Sequence, residues 1–484
     1  MPDPSHSDSR PLRREIDILR ERAERAEREH EALQREVERL RRENERLREE
    51  LEAARRAGRR QAAPFSKNRA SANPRRPGRK PGLAYGQPAR RPIPAHIDEM
   101  HDAPLPAACP TCTGPVVETA VEAQYQEDLP PVRPMVRVFH VHIGKCQQCG
   151  RRVQGRHPLQ TSDALGAAAA QVGPRAVATA AVLHKQHGVP LGKVAAFYQQ
   201  HFGLRVTPSG FVQALHRAAR QATPTYAALI ETVRQSPVVV PDETGWRVGA
   251  QLQWLWVYAT TTTTVYAIQP GRGFDQAATI LGAEYSGILV RDGWAPYRQF
   301  EQALHQTCLN HVLRRCHELQ TDHPRAPLPF QVQAMLQQAL HLRDRYTTGE
   351  ISAHGLAVAR GHLQARLATL LDQRSTVPAV RRFVAHLDRE WPALFSFLYD
   401  PTIDATTWRA EQAIRPAVVN RKVSGGNRTW RGAYTQQVLT TVLRTSAQRH
   451  RDPLRILADL LYDPVPRVAP ALRAPTVTNH AFAN

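Results

Sequence analysis

Two stretches in the second half of the chain decide its fold: PVVVPDETGWRV at residues 237–248 and GILVRDGW at residues 287–294. Each is a run of apolar residues that leads into an acidic residue. Between them, residues 251–260 and 263–270 have the β-branched and aromatic composition of strands, and residues 274–281 have the pattern of a helix. This order of three strands, a helix and a further strand predicts an α/β fold built on a central sheet.

Two aspartates follow the apolar runs. Asp242 comes after Val238–Pro241 and Asp292 after Ile288–Arg291, so we expect both to emerge at strand ends and face one cleft. Glu411, in the helix-like segment RAEQAIRP, is the candidate for a third carboxylate. Carboxylate oxygens suit Mg²⁺, and two Mg²⁺ ions held a few ångströms apart can cut and join phosphodiesters. The sequence therefore predicts a catalytic site with two magnesium ions.

Each of these acids also has an ordinary structural interpretation. An aspartate after a strand often forms a turn. Glu243 and Asp275 could compete as ligands, and Glu411 could instead form an ion pair with Arg415.

Helices are predicted on both sides of this region. Residues 173–235 read as helices that break at Gly188 and Gly203, with a further helix beginning at Thr207. They could form a DNA-binding helix-turn-helix or a bundle packed beside the core, and the helical pattern alone does not separate the two. Residues 312–400 read as an inserted helical block that ends before Glu411.

A cysteine module precedes the helices, with CPTC at residues 109–112 and CQQC at residues 146–149. Four thiolates at this spacing can converge on one structural Zn²⁺. The 33 residues between the pairs exceed the usual gap, so the intervening chain must fold back. The alternation in VFHVHIGKC (138–146) predicts a strand that leads into the second pair. The predicted zinc ligands are Cys109, Cys112, Cys146 and Cys149.

Residues 15–54 carry an unbroken heptad pattern that predicts a coiled coil. Leucines recur at the d positions, and Asn44 occupies an a position, which favours a parallel two-stranded register. Pairs between g and e′ positions, such as Glu36 with Arg41, are attractive in a parallel homodimer. The alternative is a single solvated helix with ion pairs four residues apart.

Positive charge is concentrated in the segment after this heptad region. The chain has a net charge of +21, and residues 53–97 contain twelve Arg and Lys residues and no acid. The Pro- and Gly-rich NPRRPGRKPG within this segment predicts a disordered basic linker, which can bind nucleic-acid phosphates by releasing counterions or act as a solubilising linker. Its candidate DNA contacts are Arg75, Arg76, Arg79 and Lys80.

A second group of cations follows Glu411, among glycines at 425, 426 and 432. Glycines allow the backbone to approach a phosphate and the cations neutralise it, although a charged surface loop is the alternative. Cys308 and Cys316 are expected to pack in the core rather than bind a second zinc. Trp246, Trp294 and Trp430 are expected to pack rather than stack on bases. The candidate DNA contacts here are Arg415, Arg421, Lys422, Arg428 and Arg431.

The N-terminus is polar and charged, which does not fit a signal peptide, and no apolar run approaches the roughly 20 residues of a membrane span. The six cysteines do not form the pattern of a disulfide framework in a chain of 484 residues. We therefore expect a soluble cytoplasmic protein associated with the nucleoid, with no membrane partner.

DETGWRV, WLWVYAT, LVRDGWAPY, CLNHVLRR and AEQAIRPAVVNRKVSGGNRTWRGA occur here in an order and spacing that resemble the insertion sequence 66 family of transposases. The resemblance extends to the heptad region, the basic linker and the paired CxxC motifs. It implies a ribonuclease-H-like catalytic core with a helical insertion and an Asp-Asp-Glu triad of Asp242, Asp292 and Glu411. The chain departs from the family at Thr407-Trp408, where two Asn are usual, and at Gln412, where Arg is usual.

The expected activity is that of a DNA transposase that cuts element ends and transfers strands into target DNA. Its partners would be both kinds of DNA and further copies of itself, as a homodimer or larger assembly. One alternative is a DNA-binding regulator or an inactive element copy, which binds DNA without cutting it. Another is a ribonuclease-H-like nuclease that acts on branched DNA.

These expectations define a multidomain α/β protein. Seven parts are predicted: a leucine-zipper coiled coil (12–56), a basic linker (57–104), a zinc-ribbon-like module (105–157), a helical segment (165–235), a ribonuclease-H-like core (236–311 and 400–450), a helical insertion (312–399) and a C-terminal tail (451–484).

Overall fold

The computed structural model describes residues 27, 29–40, 42–46, 91–130, 132–165 and 170–473. The chain divides into two compact units, Met1–Pro74 and Arg75–Asn484. Within the described ranges, none of the helices combines the length and the apolar character that crossing a membrane requires.

The first unit contributes one helix, α1, at residues 27, 29–40 and 42–46. Its side chains are exposed, including Leu33, Val37 and Leu40 at the predicted seam. Ion pairs three and four residues apart line the helix, among them Arg39 with Glu36 at 2.6 Å. A helix in this region is confirmed, and its pairing with a second copy stays a prediction.

The cysteine module contains a short antiparallel hairpin of β1 (Ile143–Lys145) and β2 (Arg152–Gln154). The predicted strand at residues 138–146 was too long, because the structure has a strand only at Ile143–Lys145. Its partner offers only three residues for pairing, so the alternating residues before Ile143 have no ladder to join.

Three helices then follow the predicted order: α2 (Pro174–Ala181), α3 (Leu191–Phe202) and α4 (Pro208–Arg234). A π-helical turn extends α2 to Gln186. Gly203 ends α3 in the left-handed conformation that only glycine adopts without strain. The Thr207 side chain caps α4 by accepting a hydrogen bond from the Gly210 N–H.

The central sheet has five strands. The order of elements along the chain matches the predicted order of three strands, a helix and a strand, and adds one further strand. Across the sheet the order is β5-β4-β3-β6-β7; β4 runs antiparallel to β3 and β5, and β6 runs parallel to β3 and β7. The elements are β3 (Val238–Val248), β4 (Gln251–Ala259), β5 (Thr264–Gln269), α5 (Phe274–Leu281), β6 (Ile288–Arg291) and β7 (Leu304–Thr307).

The two faces of the sheet enter separate cores because successive strand residues point in opposite directions. Val240 and Val290 belong to a core shared with the inserted helices, whereas Val239 and Leu289 belong to a core shared with α2 and α4. Both faces are thus covered, which explains the nearly continuous apolar strands. The packing of α2 and α4 in this second core agrees with the bundle interpretation, and the helix-turn-helix alternative stays a prediction.

Four helices form the predicted inserted block, and three more follow it within the described residues. A buried glutamate on α9, Glu390, joins this block to the sheet through ion pairs to Arg291 and to Arg298, the latter at 2.9 Å. The helices are α6 (Leu309–Asp322), α7 (Leu328–Thr347), α8 (Ala353–Leu371), α9 (Pro378–Leu394), α10 (Trp408–Ser424), α11 (Trp430–Gln448) and α12 (Pro453–Tyr462).

Candidate active site

Parallel pairing of β3 with β6 places the two aspartates at the same level of the sheet. Val238 pairs with Ile288 and Val239 with Leu289. Asp242 and Asp292 each lie four residues beyond the first of these pairs, so the register brings them level with one another. Asp292 directly follows β6, as predicted. Asp242, in contrast, lies within β3 and not at its end, because the strand continues to Val248 as the partner of β4.

Strand alternation decides which acids share a face. Asp242 has the same parity along β3 as Val240 and Trp246, which face the core shared with the inserted helices. Asp292 lines a cleft on that side together with Phe383 from α9. Glu411 is carried by α10, whose buried residues belong to the same core. The two aspartates and the helix that carries Glu411 therefore lie on one face of the sheet.

Glu243 points to the opposite face and has partners there. The Tyr297 hydroxyl donates a hydrogen bond to it, and Arg272 forms an ion pair with it at 2.6 Å. The guanidinium of Arg272 also stacks on Trp294, 4.1 Å from the ring centre. Glu243 therefore stabilises the face of the sheet opposite to Asp242. Asp275, the other competing residue in the sequence, lies in the first turn of α5.

The surroundings of Asp242 disfavour its ionised form. Burial, with contributions from the carboxylates of Glu243 and Asp292, raises the pKa of Asp242 to about 7. The Glu243 backbone N–H, which donates to Asp242 Oδ1 at 2.9 Å, and the nearby His311 only partly oppose this shift. A carboxylate in this setting is stabilised by a nearby cation. The surroundings of Asp242 thus favour occupation by a positive ion.

Glu411 lies in the first turn of α10, where a negative charge is favourable. Its backbone N–H donates to Thr407 O, and Thr407 Oγ1 lies 3.5 Å from Glu411 Oε1. Among the described ion pairs within 4 Å, none joins Glu411 to Arg415, so that alternative is not seen. The Tyr266 hydroxyl donates to Ala413 O at 2.6 Å and fastens α10 to β5.

Thr407 connects the third carboxylate to a buried thiol. Its backbone N–H and its hydroxyl each lie 3.3 Å from Cys308 Sγ. Burial opposes ionisation of this thiol, but His311 and Thr407 together lower the pKa of Cys308, and the thiol in turn raises the pKa of His311. The negative charge of Asp292 also raises the pKa of His311. A polar path from Glu411 thus passes through Thr407, Cys308 and His311 to the aspartates.

Within the ranges that the structure describes, no group of three or more His, Cys, Asp or Glu side chains is placed to hold a metal ion. The donor chemistry nevertheless fits Mg²⁺, since two aspartates at one level of the sheet supply hard oxygen ligands and one of them has a raised pKa. The third candidate, Glu411, is carried by α10, which packs on that face. Cys316 is buried, as expected for a core cysteine, and burial raises the pKa of its thiol to about 12.

The two CxxC motifs adopt the same backbone turn. In each, the first cysteine N–H donates to the carbonyl five residues later, at 2.9 Å for Cys109 and 2.8 Å for Cys146. The residue after the second cysteine has a positive φ in both, 57° at Thr113 and 70° at Gly150. Backbone N–H groups of the turns lower the pKa of the Cys109 and Cys146 thiols. Each turn is therefore preformed as half of a thiolate site.

The two half-sites are not joined in the described structure, because it contains no cluster of three or more ligating side chains. All six cysteines are free of disulfide bonds. The two turns suit thiolate ligation of Zn²⁺, and a shared tetrahedral site stays a prediction.

The candidate DNA-binding cations after Glu411 fall into two groups. Arg415, Lys422, Arg428 and Arg431 are exposed. Arg421 is half-buried and donates to Thr244 Oγ1 at 3.0 Å and to the Gly245 carbonyl, so β3 already holds its guanidinium. The candidates Arg75, Arg76, Arg79 and Lys80 lie outside the described residues.

The loop after α10 is built against the β3–β4 hairpin. Asn427 forms a bridge with Val248, and its side chain accepts a hydrogen bond from Trp246 Nε1 at 2.8 Å. Gly426 has a φ of 105°, and a Cβ atom there would overlap the Arg247 carbonyl. This glycine is therefore required by the hairpin contact itself. Trp246 is buried, as predicted, whereas Trp294 and Trp430, which were also expected to pack, are exposed.

Comparisons with known proteins agree with these features. Residues 169–435 match the sequence profile described as Transposase IS66 family. The uncharacterized protein y4jD of Sinorhizobium fredii (strain NBRC 101917 / NGR234) is 24% identical in an alignment of 274 positions that covers 51% of this chain and 53% of that protein. The chain thus spans about half the length of this curated relative.

One similar solved structure is the simian T-cell lymphotropic virus intasome in complex with PP2A regulatory subunit B56 gamma. It aligns at 15% identity and a TM-score of 0.13, covering 31% of this chain and 63% of that chain. A likeness at this TM-score supports no inference. The profile match, however, spans more than half of the 484 residues and includes all three acids of the site, so this chain belongs to the IS66 family of transposases.

Proposed function

We propose that this chain is a DNA transposase that cuts phosphodiesters at element ends and joins the freed 3′ ends to target DNA. The observation that carries the proposal is the placement of Asp242 and Asp292 at one level of neighbouring parallel strands, with the helix of Glu411 packed on the same face.

The sheet supports a ribonuclease-H-like core. Three antiparallel strands lead through α5 to two strands that pair in parallel beside β3, in the order β5-β4-β3-β6-β7. A block of four helices, α6 to α9, separates this sheet from α10. This order of elements fits a ribonuclease-H-like core in which a helical insertion separates the sheet from the helix that carries the third carboxylate, Glu411.

Asp242, Asp292 and Glu411 would hold two Mg²⁺ ions, which supply Lewis-acid stabilisation to the oxygens of a reacting phosphodiester. The chain's own groups set the geometry of these carboxylates. Arg272 and Tyr297 hold the side chain of Glu243, the residue that follows Asp242 on β3, and so hold the strand at this point. Thr407 and Cys308 hold the turn that presents Glu411.

The reaction then needs two displacements at phosphorus. Water attacks the phosphodiester at the element end and releases a 3′-hydroxyl. That hydroxyl attacks a target phosphodiester, so one bond breaks as another forms and no covalent protein intermediate is required. This chemistry would occur on the face of the sheet that carries the two aspartates, beneath the helix of Glu411.

Other parts of the chain would bring DNA and copies together. The exposed Lys422, Arg428 and Arg431 lie on and beyond the helix of Glu411, where phosphate contacts would position a DNA strand. The exposed seam of α1 would pair with a second copy and so link two element ends. The two CxxC turns would share one Zn²⁺, which metal analysis of the purified protein tests: Cys146→Ser should lose the bound zinc.

The test of the activity uses purified protein, a labelled duplex that carries the element end, and either Mg²⁺ or a chelator. We expect nicking that needs Mg²⁺, followed by strand-transfer products when target DNA is added. Asp242→Asn should lose nicking and keep DNA binding. Wild-type protein that binds the end duplex without cutting it would identify instead a DNA-binding regulator or an inactive element copy.

A further inference from the structure

A cleft of about 370 Å³ opens beside Asp292, between the loop after β6 and two helices of the inserted block, α6 and α9. Asp292 is the one acidic residue among the described residues that line it, and the other charged or ionisable residues there are bases. The lining side chains relevant to its chemistry are Asp292, Trp294, His311, Arg315, Arg382 and His386. Such a lining attracts anions.

The cleft is rigidly tied to the strand that carries Asp292. A Cβ atom at Gly293 would lie 2.6 Å from His386 Cε1, so the loop after β6 lies directly against the His386 ring of α9. One turn further along α9, the buried Glu390 forms ion pairs with Arg291 and Arg298. The basic residues of α9 are therefore held at a set position relative to Asp292.

Two groups of this lining have unmet bonding capacity. His311 Nδ1 is buried and has no hydrogen-bond partner among the described residues. Arg382 is exposed and forms no hydrogen bond or ion pair within the part of the chain that the structure describes. Arg315 contacts Glu318 at 2.9 Å, but both side chains are about half exposed, so this pair is weak and easily exchanged for another anion.

We propose that this cleft is the subsite for the phosphodiester backbone of the DNA strand next to the cleaved bond, and that Arg382 is its main anchor. Arg382 and His386 lie four residues apart on α9 and so on one face of the helix. Guanidinium groups bind phosphate oxygens through paired N–H donors. This assignment rests on the proposed transposase function and adds residues of the helical insertion to its DNA-binding surface.

The neighbouring Arg381 gives a matched control. It has the same charge, lies on the same helix and is also exposed. Its guanidinium, however, donates to the carbonyls of Thr376 at 3.0 Å and Ser375 at 3.4 Å, and it does not line the cleft. Removal of either arginine lowers the net charge by one, so a difference between the two variants reports on the cleft.

The experiment compares wild type, Arg382→Ala and Arg381→Ala in the full chain. Binding to a labelled random-sequence duplex is measured by fluorescence anisotropy over a range of salt concentrations. We expect Arg382→Ala to weaken binding and to reduce the slope of log affinity against log salt by about 0.9, the change for one lost phosphate contact. Arg381→Ala should leave the slope unchanged.

Nicking of the element-end duplex gives the second readout. Arg382→Ala should raise the DNA concentration for half-maximal nicking at least tenfold, and Arg382→Lys should restore part of it. Equal effects of Arg381→Ala and Arg382→Ala, or no effect of either on binding, would overturn the subsite. Absence of nicking by wild type would count against the proposed function alone, since the binding comparison still decides the role of the cleft.

Discussion

Replacement of Asp242 by Asn should inactivate the protein and, in the absence of divalent metal, make it more stable. The structure buries Asp242 beside two other carboxylates, and its pKa is raised from 3.8 to about 7. Asn has nearly the same shape and can still accept the Glu243 N–H, but it carries no charge. The substitution therefore removes the electrostatic cost and keeps the local hydrogen bond.

The magnitude follows from the shift in pKa. A difference of about 3.2 units at 1.36 kcal/mol per unit corresponds to about 4 kcal/mol. Between pH 3.8 and 7 the folded state binds a proton that the unfolded state has lost, so stability falls as the pH rises through this range. The cost is absent well below pH 4 and complete above pH 7. For a domain of this size, about 4 kcal/mol corresponds to a rise in Tm of roughly 8 °C.

Scanning calorimetry in a chelator at pH 5 and pH 8 measures this effect. The variant should exceed wild type in Tm at pH 8, and the gap should shrink to less than half at pH 5. Saturating Mg²⁺ should raise the Tm of wild type more than that of the variant, because a bound ion stabilises only the fold that binds it. Asp388→Asn, at an exposed position on α9, should change the Tm little. A variant no more stable than wild type at pH 8 in chelator would refute the reasoning.

Three other predictions concern the rest of the chain. Burial lowers the pKa of Lys185 from 10.5 to about 7. The charged form of Lys185 therefore destabilises the fold at and below neutral pH, and this cost disappears as the pH rises toward 10.5. Lys185→Met should raise the Tm at pH 7 and make the Tm less dependent on pH, which thermal melts would measure. Glu390→Gln leaves Arg291 buried without its ion pair, and urea unfolding should report a loss of about 3–5 kcal/mol, whereas a loss below 1 kcal/mol would contradict the structural role. Leu40→Glu places a charge in the predicted seam of α1, and light scattering should show a smaller assembly; an unchanged mass would argue against a zipper.

Much of the fold could be predicted from local pattern. The apolar run before Asp292 predicted β6, and residues 274–281 predicted α5 with the observed bounds. The glycine at 203 predicted the end of α3. These features depend on residues close together in the chain, so their periodicity and turn chemistry are visible without a structure. The predicted strand at residues 138–146 failed because strand length is set by a partner, and β2 offers three residues.

The candidate site was predicted only in part for the same reason. The sequence marked Asp242 and Asp292 as related, but placed Asp242 at a strand end, whereas pairing with β4 carries β3 on to Val248. Arg421 was expected to meet DNA, and the structure shows its guanidinium already bonded to β3. The sequence did not indicate a role for Arg382, because two adjacent arginines on a helix do not show which of them lines a cleft.

The sequence by itself determined the types and order of the elements and the three acids available for chemistry, since these follow from short-range periodicity and composition. Tertiary structure alone decided that Asp242 lies on the side of the sheet where α10 packs, while Glu243 points to the opposite core. It also decided that Thr407 and Cys308 connect, although they are 99 residues apart in the chain. The physical reason is that a strand's register and a helix's packing are set by contacts between distant segments, and no local pattern contains those contacts.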